Sequence, residues 1–180
     1  MKKEMFQKIK IPEDVEVKLE DKILIVKGKE GENRRKLNFG KLKFEIKDGI
    51  IKIWHLKATK KEKKQINTLH SHIKNMIKGV QEKFEYKLKI CFVHFPFTVK
   101  QNGKEIIIKN FLGEKIERKT EIPDDVEFNI DKETITIKST DKEKAGQAAA
   151  NLERATKIRG RDIRIFQDGI YLINKNGREI

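Results

Sequence analysis

Four histidines, two serines and one cysteine are the chain's obvious candidates for nucleophilic or proton-transfer chemistry. His70 and His72 lie two apart in a helical pattern, so they project to different faces and cannot comfortably share one metal ion. His55 and His94 stand alone, and neither Ser71 nor Ser139 sits in a G-x-S-x-G elbow. Cys91 falls in an apolar alternating run and reads as a small buried hydrophobe. Asp162 and Asp168 could form an acid–base pair, but Asp168 precedes Gly169 and reads better as a turn residue. Zinc-protease, CxxC-pair and glycine-rich nucleotide motifs do not occur. These residues leave an enzyme possible but unsupported, with no catalytic residue and no metal site singled out.

The cations say more. The 180 residues carry 42 Lys plus Arg against 28 Asp plus Glu, a net charge of +14. Such a surface attracts polyanions and loses affinity as salt rises, which puts nucleic acid first and an anionic membrane surface second. Arginines concentrate near the C-terminus, in "RATKIRGRDIRIFQDGIYLINKNGREI". The candidate RNA-binding residues there are Arg154, Lys157, Arg159, Arg161, Arg164 and Lys175. The guanidinium fork suits phosphate oxygens, and Gly160 permits close backbone approach. An earlier turn, "KNFLGEKIERK" (Lys109–Lys119), adds Lys115 and Arg118. Phe111 is the only aromatic between Val99 and Pro123, so structured RNA gripped by its backbone fits better than stacked single strands.

The elements that must position these groups form a repeat. "VKLEDKILIVKGKEGE" (Val17–Glu32) aligns with "VKQNGKEIIIKNFLGE" (Val99–Glu114) at an offset of 82, placing Gly31 and Glu32 on Gly113 and Glu114. At an offset of 84, Leu42–Ile53 aligns with Val126–Ile137. Each half reads hairpin, hairpin, helix. In the first, Val15–Leu19 pairs with Ile23–Lys27, and Leu42–Ile46 with Ile50–Trp54 around Lys47-Asp48-Gly49. A helix follows, with Ile66, Leu69, Ile73, Met76 and Ile77 at 3.6-residue spacing, Thr59 and Glu62 as a capping box, and Gly79 as its end. In the second, Tyr86, Leu88, Ile90 and Phe92 alternate, and Asn102-Gly103 turns a hairpin. Phe128–Ile130 pairs with Thr134–Ile137, and a helix over about Asp141–Lys157 bears an alanine stripe. Arg164–Phe166 reads as a further strand. The fold expected is α+β: two tandem homologous domains, residues 1–81 and 82–180, each an antiparallel sheet covered by one helix. The hinge should lie near Gly79–Lys83.

One cysteine permits no internal disulfide, which fits a reducing cytosol. "MKKEMFQKIK" lacks the apolar run of a signal peptide, and 18 consecutive apolar residues occur nowhere, so no membrane is expected as partner.

Five stretches, taken together, resemble a known family. They are "NMIKGV" (Asn75–Val80), "YKLKICFVHFPFTV" (Tyr86–Val99), "NFLGEK" (Asn110–Lys115), "GQAAANLERATKIRGRD" (Gly146–Asp162) and "FQDGIYL" (Phe166–Leu172). In that order and spacing they resemble the large-subunit ribosomal protein six family, in its archaeal and eukaryotic branch. "GQAAANLE" leans archaeal. The resemblance implies a cytoplasmic, ribosome-bound structural protein without catalysis or cofactor. It implies binding to large-subunit ribosomal RNA, mainly through the second domain, beside the sarcin–ricin loop and the translation-factor site. Neighbouring large-subunit proteins would be further partners, with translation factors nearby. Carried over by position, Asn110, Gly113, Glu114 and Lys115 match the family's central loop. Arg159, Arg161, Asp162 and Arg164 fall in its RNA-facing C-terminal segment. The bacterial "PEPYKGKG"-like run is absent there.

Two other readings compete: an RNA-processing or RNA-modifying enzyme, which needs Asp162, Asp168 and His94 to converge, and a free basic RNA chaperone. Within the central loop, Asn110, Phe111 and Gly113 are read as structural. Phe111 and Leu112 should anchor the loop on the core, presenting Lys115 and Arg118 outward.

Overall fold

A computed structural model describes residues 3–47 and 49–180, excluding the Lys3 side chain. The central residue of the expected Lys47-Asp48-Gly49 turn therefore lies outside the described residues. The chain divides into two compact units, Met1–Lys83 and Phe84–Ile180. No helix of the described residues is long and apolar enough to cross a membrane.

The first unit contains β1 (Lys3–Lys10), β2 (Glu16–Glu20), β3 (Ile23–Gly28), β4 (Gly31–Lys36), β5 (Lys43–Lys47), β6 (Ile50–Ala58) and α1 (Lys60–Gln81). They make two antiparallel three-stranded sheets, β1-β6-β5 and β2-β3-β4. Strand alternation sends Leu24 and Val26 inward from β3, and Ile51 and Ile53 inward from β6. The apolar stripe of α1, including Ile66, Ile73 and Val80, closes this core. The N-terminus of α1 carries the expected capping box: the Thr59 backbone amide donates to Glu62 at 2.8 Å. Gly79 does not end the helix. It is buried within α1, which runs two residues further to Gln81. Gly28 of β3 allows close packing on this last turn, because a Cβ there would stand 2.8 Å from the Val80 carbonyl oxygen.

The second unit repeats this plan with β7 (Phe84–Cys91), β8 (Thr98–Asn102), β9 (Glu105–Lys109), β10 (Arg118–Glu121), β11 (Glu127–Asp131), β12 (Thr134–Ser139) and α2 (Lys142–Ala155). It then adds β13 (Gly169–Lys175) and β14 (Arg178–Glu179). Its sheets are β10-β9-β8 and β11-β12-β7-β13-β14. Ala145, Ala148, Ala149 and Leu152 are the buried face of α2, and small side chains let the helix lie close on the strands.

The α+β repeat is thus real, but each unit holds two sheets rather than one. The outer strands β1, β4 and β10 escaped the sequence pattern because they are dominated by charged residues. Two further expectations are corrected. Arg164–Phe166 is not a strand. It lies in a turn closed by the Ile165 and Phe166 amides donating to the Asp162 carbonyl at 3.1 and 2.9 Å. Phe92 lies beyond the end of β7 and is exposed.

The repeat alignment at the central loop also changes. Ile25 faces Arg34 across β3–β4, whereas Ile107 faces Lys119 across β9–β10. The offset is 82 before the loop and 85 after it, so the second unit holds three extra residues there. Gly31 starts a strand opposite Gly28, while Gly113 lies inside an irregular loop. Asn33, not Glu32, occupies the position of a residue in the β10 strand: Arg118.

Candidate nucleic-acid interface

The central loop folds on an aromatic anchor. Phe111 is 1% exposed and packs edge-on against Phe97, with ring centroids 5.2 Å apart. Burying such a ring contributes roughly 1.5–3 kcal/mol. Asn110 and Leu112 take left-handed backbone angles, and Gly113 follows at φ +75. Asn110 tolerates this better than most residues and donates from its side chain to the Pro96 carbonyl at 3.0 Å. Leu112 is buried beside Phe111.

Arg118 does not face outward. Its Nε and Nη2 donate to both oxygens of Glu114 at 2.8 and 2.6 Å. Its Nη1 donates to the carbonyls of Ala155 and Lys157 at 2.8 and 3.3 Å. The guanidinium carbon lies 4.4 Å from the Phe111 ring centroid. One cation therefore ties the loop to the end of α2, where unpaired carbonyls and the helix dipole favour positive charge. These hydrogen bonds hold the Glu114 carboxyl below its ordinary range, and the Arg161 charge adds to that. Arg118 is not presented outward as expected because its guanidinium fork is consumed inside the protein. Lys115, three residues earlier, is exposed with no ion-pair partner among the described residues.

Beyond α2 the chain runs as a basic strap, residues 157–168, into β13. The Thr156 hydroxyl accepts from the Ile170 amide at 2.9 Å, and Glu153 accepts from the Leu172 amide at 3.1 Å. Within the strap, Asp162 accepts from the Arg164 amide at 2.9 Å and from its guanidinium at 3.2 and 3.0 Å. Those bonds hold the Asp162 carboxyl below its usual range. Arg161 lies 4.8 Å from the centroid of Phe166, on which His94 also stacks at 4.8 Å. Gly160 takes φ +67 between Arg159 and Arg161. Lys157, Arg159, Arg161 and Arg164 are exposed, as is Arg154 on the last turn of α2. Lys175 lies on β13, with its ammonium 5.8 Å from the Tyr86 ring centroid.

Asp168 is not a surface turn residue. It is wholly buried, and its Oδ1 accepts from the Val93 amide and, at 3.3 Å, from the His94 amide. Its Oδ2 has no hydrogen-bond partner among the described residues and lies 3.7 Å from His94 Nδ1. The carboxylate clamps the β7–β8 loop to the end of the strap. Two of the three residues an enzyme would have needed therefore meet, but Asp162 instead holds Arg164. Among the described residues no cluster of three or more potential metal ligands occurs. The clamps at Asp168 and Glu114 had no sequence signal: a buried acid before a glycine looks like any turn, and Glu114–Arg118 spans a loop rather than a helical i, i+4 step.

Residues 11–83 and 95–169 each match the family described as ribosomal protein L6. The chain belongs to the ribosomal protein L6 family. The two matched segments reproduce the two structural repeats. Among L6 relatives, the protein named large ribosomal subunit protein uL6 in Archaeoglobus fulgidus is 41% identical over 172 residues, covering 93% of this chain and 88% of its own. Its namesake in Methanosphaera stadtmanae is 46% identical over 173 residues, covering 96% and 94%. That of Methanothrix thermoacetophila is 40% identical over 175 residues, covering 97% and 99%. The archaeal leaning of the sequence agrees with these L6 relatives.

Proposed function

We propose that this chain is a structural, non-catalytic constituent of the large ribosomal subunit in the cytoplasm. In this reading it grips ribosomal RNA mainly through the second unit, near the translation-factor site and beside other large-subunit proteins. The observation that carries the RNA contact is the basic strap. Lys157, Arg159 and Arg161 project from a backbone fixed at both ends, by Thr156 on one side and Asp168 on the other. Holding the backbone in place lowers the ordering cost of binding. Arg154, Arg164, Lys115 and Lys175 extend the same role. Arg118 serves it indirectly, by holding the loop and the strap together.

The contacts are to phosphate, so they position folded RNA without reading bases. Affinity should fall steeply with salt as counterions are released. Sucrose-gradient fractionation of cells tests the assignment: the protein should sediment with large subunits. Recovery in the free fraction would instead favour the RNA-chaperone reading.

A further inference from the structure

The first unit carries a second cationic feature, on different residues. Helix α1 holds six lysines, at positions 60, 61, 63, 64, 74 and 78, against a single acid, Glu62. Glu62 is turned back into the capping box. On the strands of the same unit, several cations are neutralised by neighbours: Lys18 by Glu16, Lys27 and Arg34 by Glu32, Lys47 by Glu45. None of the six helix lysines has an acidic partner among the described residues. The counterpart helix α2 is different: it carries three cations, Lys142, Lys144 and Arg154, with two acids, Glu143 and Glu153, and Lys144 pairs with Asp125 at 2.5 Å.

Two grooves flank α1. One, of about 470 Å³, is lined by Arg35, Lys36, Lys61, Lys64 and His72, and no acid among the described residues lines it. The other, of about 360 Å³, is lined by Lys8, Lys10, His70, Lys74 and Lys78, again with no acid among the described residues. At 100° per residue, Lys61 and His72 lie on one side of the buried stripe, and His70 and Lys74 on the other. The ridge between them reads Lys60, Lys64, Asn67, Ser71, Lys74 and Lys78, with no acid and no large apolar side chain.

We infer that the outer face of α1 is a second RNA-binding surface, which takes a double-stranded segment across the helix with phosphates of its two strands in the two grooves. It rests on the proposal that the partner is RNA, but not on the strap. A single acidic peptide would occupy one groove, whereas a duplex offers two lines of phosphate charge, matching cations on both flanks. Lysine point charges suit phosphate backbones read by shape.

The test uses the full chain and an RNA duplex of about 20 base pairs with arbitrary sequence. Affinity is measured against salt for wild type, for Lys61, Lys64, Lys74 and Lys78 all changed to Gln, and for a control with Lys22, Lys29, Lys43 and Lys57 changed to Gln. Glutamine is close to lysine in helix propensity, so α1 should persist, as circular dichroism can verify. If the fourfold variant unfolds, the Lys61/Lys64 and Lys74/Lys78 pairs are changed separately. The helix variant should lose about 2–3 from the salt slope, and the equally charged control less than about 1. Lysine-to-arginine changes at the four helix positions should restore the slope. Equal loss in helix variant and control would show diffuse attraction only and overturn the inference. So would a helix variant that keeps duplex binding but loses polyglutamate, which would mark an acidic protein segment as the occupant. Neither result depends on the strap arginines.

Discussion

Arg118 Nη1 stands 2.8 Å from the Ala155 carbonyl oxygen, so a strand of one sheet caps the C-terminus of the helix that covers it. The same guanidinium holds Glu114, and through it the central loop. Replacing Arg118 by Ala should destabilise the second unit by about 1–3 kcal/mol, because charge-assisted hydrogen bonds are lost and the part-buried Ala155 carbonyl is left without this donor. Lysine keeps the charge but not the fork, so Arg118→Lys should recover less than half of that loss. Urea denaturation midpoints of the three proteins give the comparison.

Gly28 makes a second packing prediction, in the first unit. A Cβ at this position would lie 2.8 Å from both the Val80 carbonyl oxygen and its Cγ2. Gly28→Ala should therefore push β3 away from the end of α1 and cost about 1–3 kcal/mol through overpacking. An Ala variant as stable as wild type in thermal melts would show that the helix end yields freely.

The capping box sets a pH dependence. Hydrogen bonds from the Thr59 side chain and backbone lower the Glu62 carboxyl from an ordinary value of 4.5 to about 2. A carboxyl depressed on folding contributes stability that is complete above about 4.5 and lost as pH falls toward 2. The stability gap between wild type and Glu62→Gln should accordingly close over that interval. A constant gap from pH 6 to pH 2 would separate Glu62 from the acid response.

Asp168 yields a prediction about the clamp. In Asp168→Ala the Val93 and His94 amides lose their acceptor, which should cost about 2–3 kcal/mol. Asn retains one carbonyl oxygen and should cost less. Amide hydrogen exchange at Val93 and His94 should accelerate in the Ala variant before the rest of the unit responds.

The repeat was readable because its strands alternate cleanly: Leu24 and Val26 have counterparts in Ile106 and Ile108, all fully buried. The helices were readable from their stripes and from Thr59 and Glu62. Charged outer strands such as β4, "GENRRK", have too little apolar alternation to announce themselves. Exposed cations at Lys157, Arg159 and Arg161 could be anticipated from composition alone. Arg118 could not be told apart from them, since only the fold reveals that Glu114, Ala155 and Lys157 surround it. Asp168 was hidden for the same reason: its partners lie more than 70 residues away in sequence.

RNA phosphates are proposed to lie against the strap of the second unit. The most direct test is the salt dependence of binding to large-subunit ribosomal RNA, for wild type and for the triple change of Arg159, Arg161 and Arg164 to Ala. The triple variant should bind more weakly, with a salt slope lowered by about 2–3, roughly one per phosphate contact removed. A triple variant with unchanged affinity and unchanged slope would contradict it.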